Sequence, residues 1–216
     1  VADFYRQCDT LNFNGQYYYL YLVMDIYSRK IVSWQIHDCE SSAHAADLIK
    51  DIACREKINK NQLVIHSDNG SPMKGATPRA KMIHLDIASS YSRPLVSNDN
   101  PYSESLFKTI KYHYSFPEIP FANLSETRIW VEGFVCWYNE EHKHSGIKFV
   151  TPNQRHDGID KTLLHNRKVI IEQAKRNHPE RWNGRKTRNL TPIEDVYLNP
   201  ITIKNGSIKS SSFEKT

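Results

Sequence analysis

Apolar residues in the first forty positions come in short dense blocks rather than at helical spacing. Residues 7–12 can form a short strand, and Asn14-Gly15 behind them suits a two-residue hairpin turn. The run YYYLYLVMDI at 17–26 is almost continuously apolar or aromatic, which predicts a central strand buried on both faces. After the turn YSRK, the block IVSWQIH at 31–37 predicts a third strand, so that three strands joined by tight turns make an antiparallel meander. The period then changes. Ala45, Leu48, Ile49 and Ile52 recur at helical spacing behind Ser41 or Ser42, either of which can cap. A fourth strand follows at 62–66, and strand, helix, strand implies a right-handed crossover with parallel pairing.

Further on, Thr77 with Pro78 behind it predicts a helix running to about Leu85. DIASSY reads as a fifth strand and SRPLVSNDN as a polar loop. Asn100 with Pro101 at the first helical position opens a helix over about 101–113 that buries Leu106, Phe107 and Ile110. Ser125 is the expected cap of a long helix striped by Ile129, Trp130, Phe134 and Trp137. TPNQRH reads as a short capped helical turn, 160–177 as a polar helix, HPERWNGRKTRN as irregular and basic, and the last residues as frayed. The order is that of an α/β fold with a mixed sheet. It predicts a core over 1–156 and a basic, partly helical C-terminal extension over 157–216.

Charge sharpens that division. Residues 1–150 carry 16 Lys and Arg against 17 Asp and Glu, while 151–216 carry 13 against 7. A near-neutral body with a basic tail suits a polyanionic partner or a merely solvated surface. No apolar run is long enough for a bilayer, and no signal-peptide pattern opens the chain. Cys8, Cys39, Cys54 and Cys136 lie far apart with no Cys-x-x-Cys, which argues against zinc and against a disulfide framework and fits a reducing cytosol. The opening VADFYRQCDTL reads as the middle of a longer protein.

The chemistry starts at LVIHSDNGS. A buried strand that ends in Asp68-Asn69-Gly70 is either entering a hairpin or presenting a carboxylate. Asp9, expected inside the first strand, is costly there unless exposed or paired. If the first and fourth strands are parallel neighbours about 4.8 Å apart, Asp9 and Asp68 can face one divalent cation. Glu104, with 35 residues between it and Asp68, sits in the first turns of the helix after NDNPYSES. Lys108 at i+4 can pair with it, and Lys111 lies two turns on along the same face. Asp25, read as a strand-end acid pairing with Arg29, competes with these acids, as do Asp38, Asp86 and Asp99. His66 reads as packed, Asn69 as shaping the turn, Asn100 as a helix cap, and Tyr138, Asn139 and His144 as structural; His142 and His144 at i, i+2 without cysteines are a weak zinc signal.

Taken together, CDTL, YLYLVMDIYSRKIV, HSDNGS, SRPLVSNDNPYSES, KTIKY, WYNEEHKHSGI and TPNQRHDG resemble the transposases of the IS-three family of bacterial insertion sequences, relatives of retroviral integrases. The resemblance runs over 9–156 and more loosely to about 200. It implies an RNase H-like, integrase-core fold with a five-stranded mixed sheet. It also implies a catalytic and metal-binding triad of Asp9, Asp68 and Glu104 that holds two Mg²⁺, with Mn²⁺ as substitute. Asp9 would bridge both ions, Asp68 would hold one and Glu104 the other. The implied reaction is DNA cleavage by water followed by attack of the freed 3′-hydroxyl on a second phosphodiester. Lys111, Lys108 and the cluster Arg181, Arg185, Lys186 and Arg188 would contact DNA, and the active form would be a cytoplasmic homo-oligomer on the nucleoid. Two departures stand out. Gln7 and Cys8 precede Asp9 where relatives carry a Trp shortly before the acid, and the family's N-terminal DNA-binding helices are missing, as in a catalytic fragment. An inactive DNA-binding or assembly remnant and an RNase H-like nuclease are the alternatives.

Overall fold

A computed structural model of the chain describes residues 2–7, 12–13, 16–68, 70–93 and 99–198. Its centre is a five-stranded sheet formed by β1 (Ala2–Gln7), β4 (Tyr19–Asp25), β5 (Ile31–His37), β6 (Val64–Ser67) and β7 (Ala88–Tyr91), in the order β5-β4-β1-β6-β7. The first three in chain order pair antiparallel, as the meander requires, while β6 runs parallel to both β1 and β7. The mixed sheet read from the pattern is therefore present, with one displacement. The first described strand is Ala2–Gln7, and residues 8–11 of the strand read at 7–12 lie outside the described residues. Beyond it, β2 (Asn12–Phe13) pairs with β3 (Gln16–Tyr17) as a separate ribbon; Asn14 and Gly15, read as its turn, lie outside the described residues.

β4 shows why a continuous apolar run is needed at the centre. Its five middle residues are all buried, and they alternate between two cores. Leu20, Leu22 and Met24 join Ile31 and Ile36 under α4 (Pro101–Lys111) and α5 (Leu124–Glu140). Tyr21 and Val23 face the other way, against Ile65 of β6 and Leu48, Ile49 and Ile52 of α1 (Ser42–Arg55). Ser41 is the cap that α1 uses; its Oγ accepts from Ala43 N at 3.1 Å.

Local capping is where pattern and fold part. The helix read from Thr77 to about Leu85 is α3 (Ala76–His84), which starts one residue earlier and takes no cap from Thr77; a short α2 (Ser71–Lys74), which the pattern did not predict, precedes it across Gly75. The long helix α5 is capped by Asn123, not Ser125. Asn123 Oδ1 accepts from Glu126 N at 2.9 Å, and Glu126 answers by accepting from Ala122 N. The face packed on the core is offset from the expected stripe. Thr127, Val131, Phe134 and Tyr138 are buried, Trp130 and Trp137 lie on the shoulder, and Ile129 is exposed.

The C-terminal part packs directly onto this body. α6 (Pro152–His156) opens with the capping box of Thr151 and Gln154. It is followed by α7 (Asp160–Asn177) and a small core of Ile147, Val150, Leu164 and Leu190. Arg155, fully buried, holds three partners: Asp160 at 3.3 Å, Tyr27 O at 2.7 Å and Ile193 O at 2.6 Å. The tail thereby returns to α4, where Tyr102 donates to Tyr197 O. No helix among the described residues is long and apolar enough to cross a membrane.

Candidate active site

Asp68 lies one residue past β6, half-buried at the end of a strand that has a neighbour on each side. Its Oδ1 accepts from Gly70 N at 3.0 Å. A Cβ on Gly70 would meet that same oxygen at 2.9 Å, so the glycine gives room to the carboxylate rather than supplying an unusual backbone angle. The Asn-Gly hairpin reading is excluded, because β6 continues into α2 and pairs in parallel with β7. Asn69 itself lies outside the described residues.

His66, two residues earlier, is buried and bonded to Ser90 Oγ at 3.1 Å and Ser92 Oγ at 3.2 Å. Burial holds its pKa below the ordinary value against the opposing pull of Asp99 and Asp68. Asp99 is itself buried and clamped by Arg93, which donates from its backbone N and its guanidinium at 2.8–2.9 Å. Asp99 and Asn100 lead straight into α4, so the residues around His66 connect the Asp68 strand end to the start of the Glu104 helix. Asn100 occupies the cap position as expected, yet its side chain makes no capping bond, and both its amide atoms are buried without a partner among the described residues.

Glu104 is exposed in the first turn of α4, and α4 packs against β1. The ion pair expected with Lys108 does not form; Lys108 and Lys111 are exposed on the same helix. Among the described residues neither Asp68 nor Glu104 is committed to an ion pair, so both keep oxygens for a hard cation, the donor type that Mg²⁺ prefers. Asp9 lies outside the described residues, and among the described ones no three His, Cys, Asp or Glu side chains gather around a metal position. One acid went unweighed in the sequence. Asp3 stands in β1 with His66 as its register partner on β6. The signal that could have found it is the strand start at Ala2, which moves the first strand upstream of Asp9.

Three of the competing acids, Asp25, Asp86 and Asp99, have other partners. Asp25 does not pair with Arg29, whose guanidinium sits over the Tyr102 ring. Burial works to raise the Asp25 pKa, but hydrogen bonds from His156, from Ser28 and from Tyr27 N outweigh it and bring the carboxyl to about 2. Asp86 pairs with Lys60 at 3.1 Å. His144 bonds Tyr138 OH, and burial lowers its pKa to about 4; Asn139 bonds both N and O of Ile31. These are structural roles, as read. Arg181, Arg185, Lys186 and Arg188 are all exposed, with the Arg188 guanidinium 5.0 Å from the Phe149 ring centroid.

Two family models, each described as an integrase core domain, match residues 3–96 and 85–152. The chain belongs to the integrase core family. This core is 28% identical over 138 residues to the transposase for insertion sequence element IS904 of Lactococcus lactis subsp. lactis strain IL1403, covering 62% of this chain and 53% of that protein. Against transposase InsF for insertion sequence IS3A of Escherichia coli strain K12 the identity is 26% over 137 residues, covering 63% and 47%. The integrase core thus spans about half the length of the curated relatives it matches. Its fold matches a chain of the simian T-cell lymphotropic virus intasome in complex with PP2A regulatory subunit B56 gamma. There the TM-score is 0.57 and the identity 14%, over 71% of this chain and 52% of that one. The catalytic core domain of BIV integrase gives a TM-score of 0.51 and 15% identity, over 74% and 95%.

Proposed function

We propose that this chain is the catalytic core of an insertion-sequence transposase that cuts DNA at an element end and joins the freed 3′-hydroxyl to a second site. The observation that supports it most is the combination of a strand-end Asp68 with a helix-borne Glu104, 35 residues lying between them, within a chain that matches the integrase core models. Asp68, Glu104 and Asp9 are the proposed holders of two Mg²⁺. When bound, such cations activate the attacking oxygen and neutralise charge on the leaving one. The chain's own part is to hold the carboxylates with Gly70 and the His66 network and to seat DNA phosphates on Lys108, Lys111 and the basic extension. Several copies would assemble on paired DNA ends, a reading supported by the structural relative that is a chain of a viral intasome. Residues 157–216 are proposed as the basic extension of this core, of which 157–198 are described.

A second reading concerns the first acid alone. Asp3 takes that role in place of Asp9, because its register places it beside His66, two residues before Asp68. The experiment is incubation of a labelled element-end duplex with the protein and Mg²⁺ or Mn²⁺, followed by product analysis. Asp68→Asn and Glu104→Gln should each abolish cleavage with folding retained. Loss of cleavage in Asp9→Asn but not Asp3→Asn assigns Asp9, and the reverse assigns Asp3. Retained cleavage in Asp68→Asn would refute the site. Faster cutting of RNA–DNA hybrid than of duplex DNA would replace transposition with the nuclease alternative.

A further inference from the structure

The turn after α4 is both rigid and unusually exposed. Tyr112 and Tyr114 are 72% and 86% accessible, yet the chain between and behind them is held from several sides. The His113 ring packs on Trp137 at 4.3 Å and edge-on to Phe134 at 5.3 Å. Its Nδ1 bonds Ser115 Oγ at 2.8 Å, Trp130 Nε1 donates to Ser115 O at 2.7 Å, and the Phe116 ring packs edge-on to Trp130. Phe116 N closes the turn on His113 O at 2.8 Å. Exposed tyrosines on mobile loops need no explanation. Two of them displayed by a half-buried aromatic anchor on Phe134 are prepaid in conformational entropy for a flat partner.

The surroundings say which partner. Along α4 and its C-cap, the exposed Glu104, Lys108, Lys111 and Tyr112 stand at i, i+4, i+7 and i+8, one stripe. The cations lie between the candidate metal acid and the tyrosines, and the nearby acid in the loop is the exposed Glu118. Eight residues of helix from Glu104 to Tyr112 cover roughly 12 Å, or about three to four nucleotide steps at 3.4 Å. Resting on the DNA reading above, we infer that Tyr112 and Tyr114 form a stacking platform for unpaired bases of the DNA strand a few nucleotides from the phosphate cut at the Glu104 end. Lys108 and Lys111 track the backbone between the two. The platform favours ends whose terminal pairs are open, since stacking needs a free base face.

The test uses two DNAs with the same element end, one fully paired and one with its last four nucleotides unpaired and carrying 2-aminopurine. Wild-type protein should bind the open end more tightly and quench its fluorescence. Tyr112→Ala or Tyr114→Ala should lose the quenching and bind the open end about 5-fold to 100-fold more weakly. Affinity for paired duplex, and its salt dependence, should stay unchanged, and tryptophan at either position should restore stacking. Tyrosine-insensitive binding of the open end, with duplex binding intact, would overturn the platform while sparing the DNA reading. Binding to neither DNA, with Lys108→Ala and Lys111→Ala without effect, would overturn both. Loss of self-association in the tyrosine variants, read by sedimentation and with no change on DNA, would show a contact between copies of the chain and reject the platform.

Discussion

Gly70 carries a conclusion that its place in an Asn-Gly pair hides. Its backbone angles are open to any residue, but a methyl group there would press on Asp68 Oδ1. Gly70→Ala should therefore leave stability within about 1 kcal/mol while lowering metal-dependent cleavage on the order of 100-fold, the usual cost of a displacement near 1 Å. Matched denaturation curves and single-turnover rates check this. His156 makes a different kind of prediction. Its Nε2 lies 3.2 Å from Glu56 and its Nδ1 3.6 Å from Asp25. The hydrogen bond to Asp25 raises its pKa first of all, against burial. A raised folded pKa means the stabilisation is full below the unfolded value of about 6.5 and is lost as pH rises through the folded one. His156→Gln should thus cost more stability at pH 5.5 than at pH 8.5. Asp25, depressed to about 2, has the opposite sign: its contribution is present above about 3.9 and is lost as pH falls toward 2. Melting temperatures across pH measure both windows.

At the scale of elements, Arg155 joins four pieces of chain that share no local sequence signal. It stands in α6, pairs with Asp160 of α7, and reaches the β4–β5 turn at Tyr27 and the tail at Ile193. Both charges of the pair are almost wholly buried. Arg155→Met should destabilise by about 3–5 kcal/mol, because Asp160 would remain buried without its cation. Adding Asp160→Asn should recover part of that loss. Chemical denaturation quantifies it, and limited proteolysis should show residues 186–198 released first, since Ile193 loses its donor. The crossover α1 needs no such clamp; its apolar stripe on the β4–β6 face supplies its attachment.

The whole molecule separates two electrostatic surfaces. One is the α4 stripe beside the candidate site; the other is the exposed set Arg181, Arg185, Lys186 and Arg188 beyond α7. Each phosphate contact released should flatten the dependence of log K on log salt by about 0.9 for duplex DNA. Neutralising the tail set should weaken element-end and random duplex alike, whereas Lys111→Ala should change the slope by about one contact and leave metal binding intact. Titrations over a salt series distinguish these outcomes, and unchanged slopes in both variants would leave the two surfaces without a DNA role.

Periodicity was enough to read β4 and β5, though not the first strand at Ala2–Gln7, because burial on one or both faces writes itself into neighbouring residues of one strand. The continuous run of β4, the boundaries of β5, the Ser41 cap, the Thr151 capping box and the 160–177 helix are all decided within a few residues. The spacing of Asp68 and Glu104 is likewise a property of the chain alone. Other features depended on partners far away in sequence. Ile129 is exposed because the face of α5 that packs on the sheet core is that of Thr127, Val131, Phe134 and Tyr138, and Asp25 prefers His156 because α6 arrives 131 residues later, outcompeting nearby Arg29. Asn100 holds its place at the helix start without making the bond that its residue type suggests. That Asp3 stands beside His66 is a matter of strand register, which pairing between distant segments sets and no local pattern records.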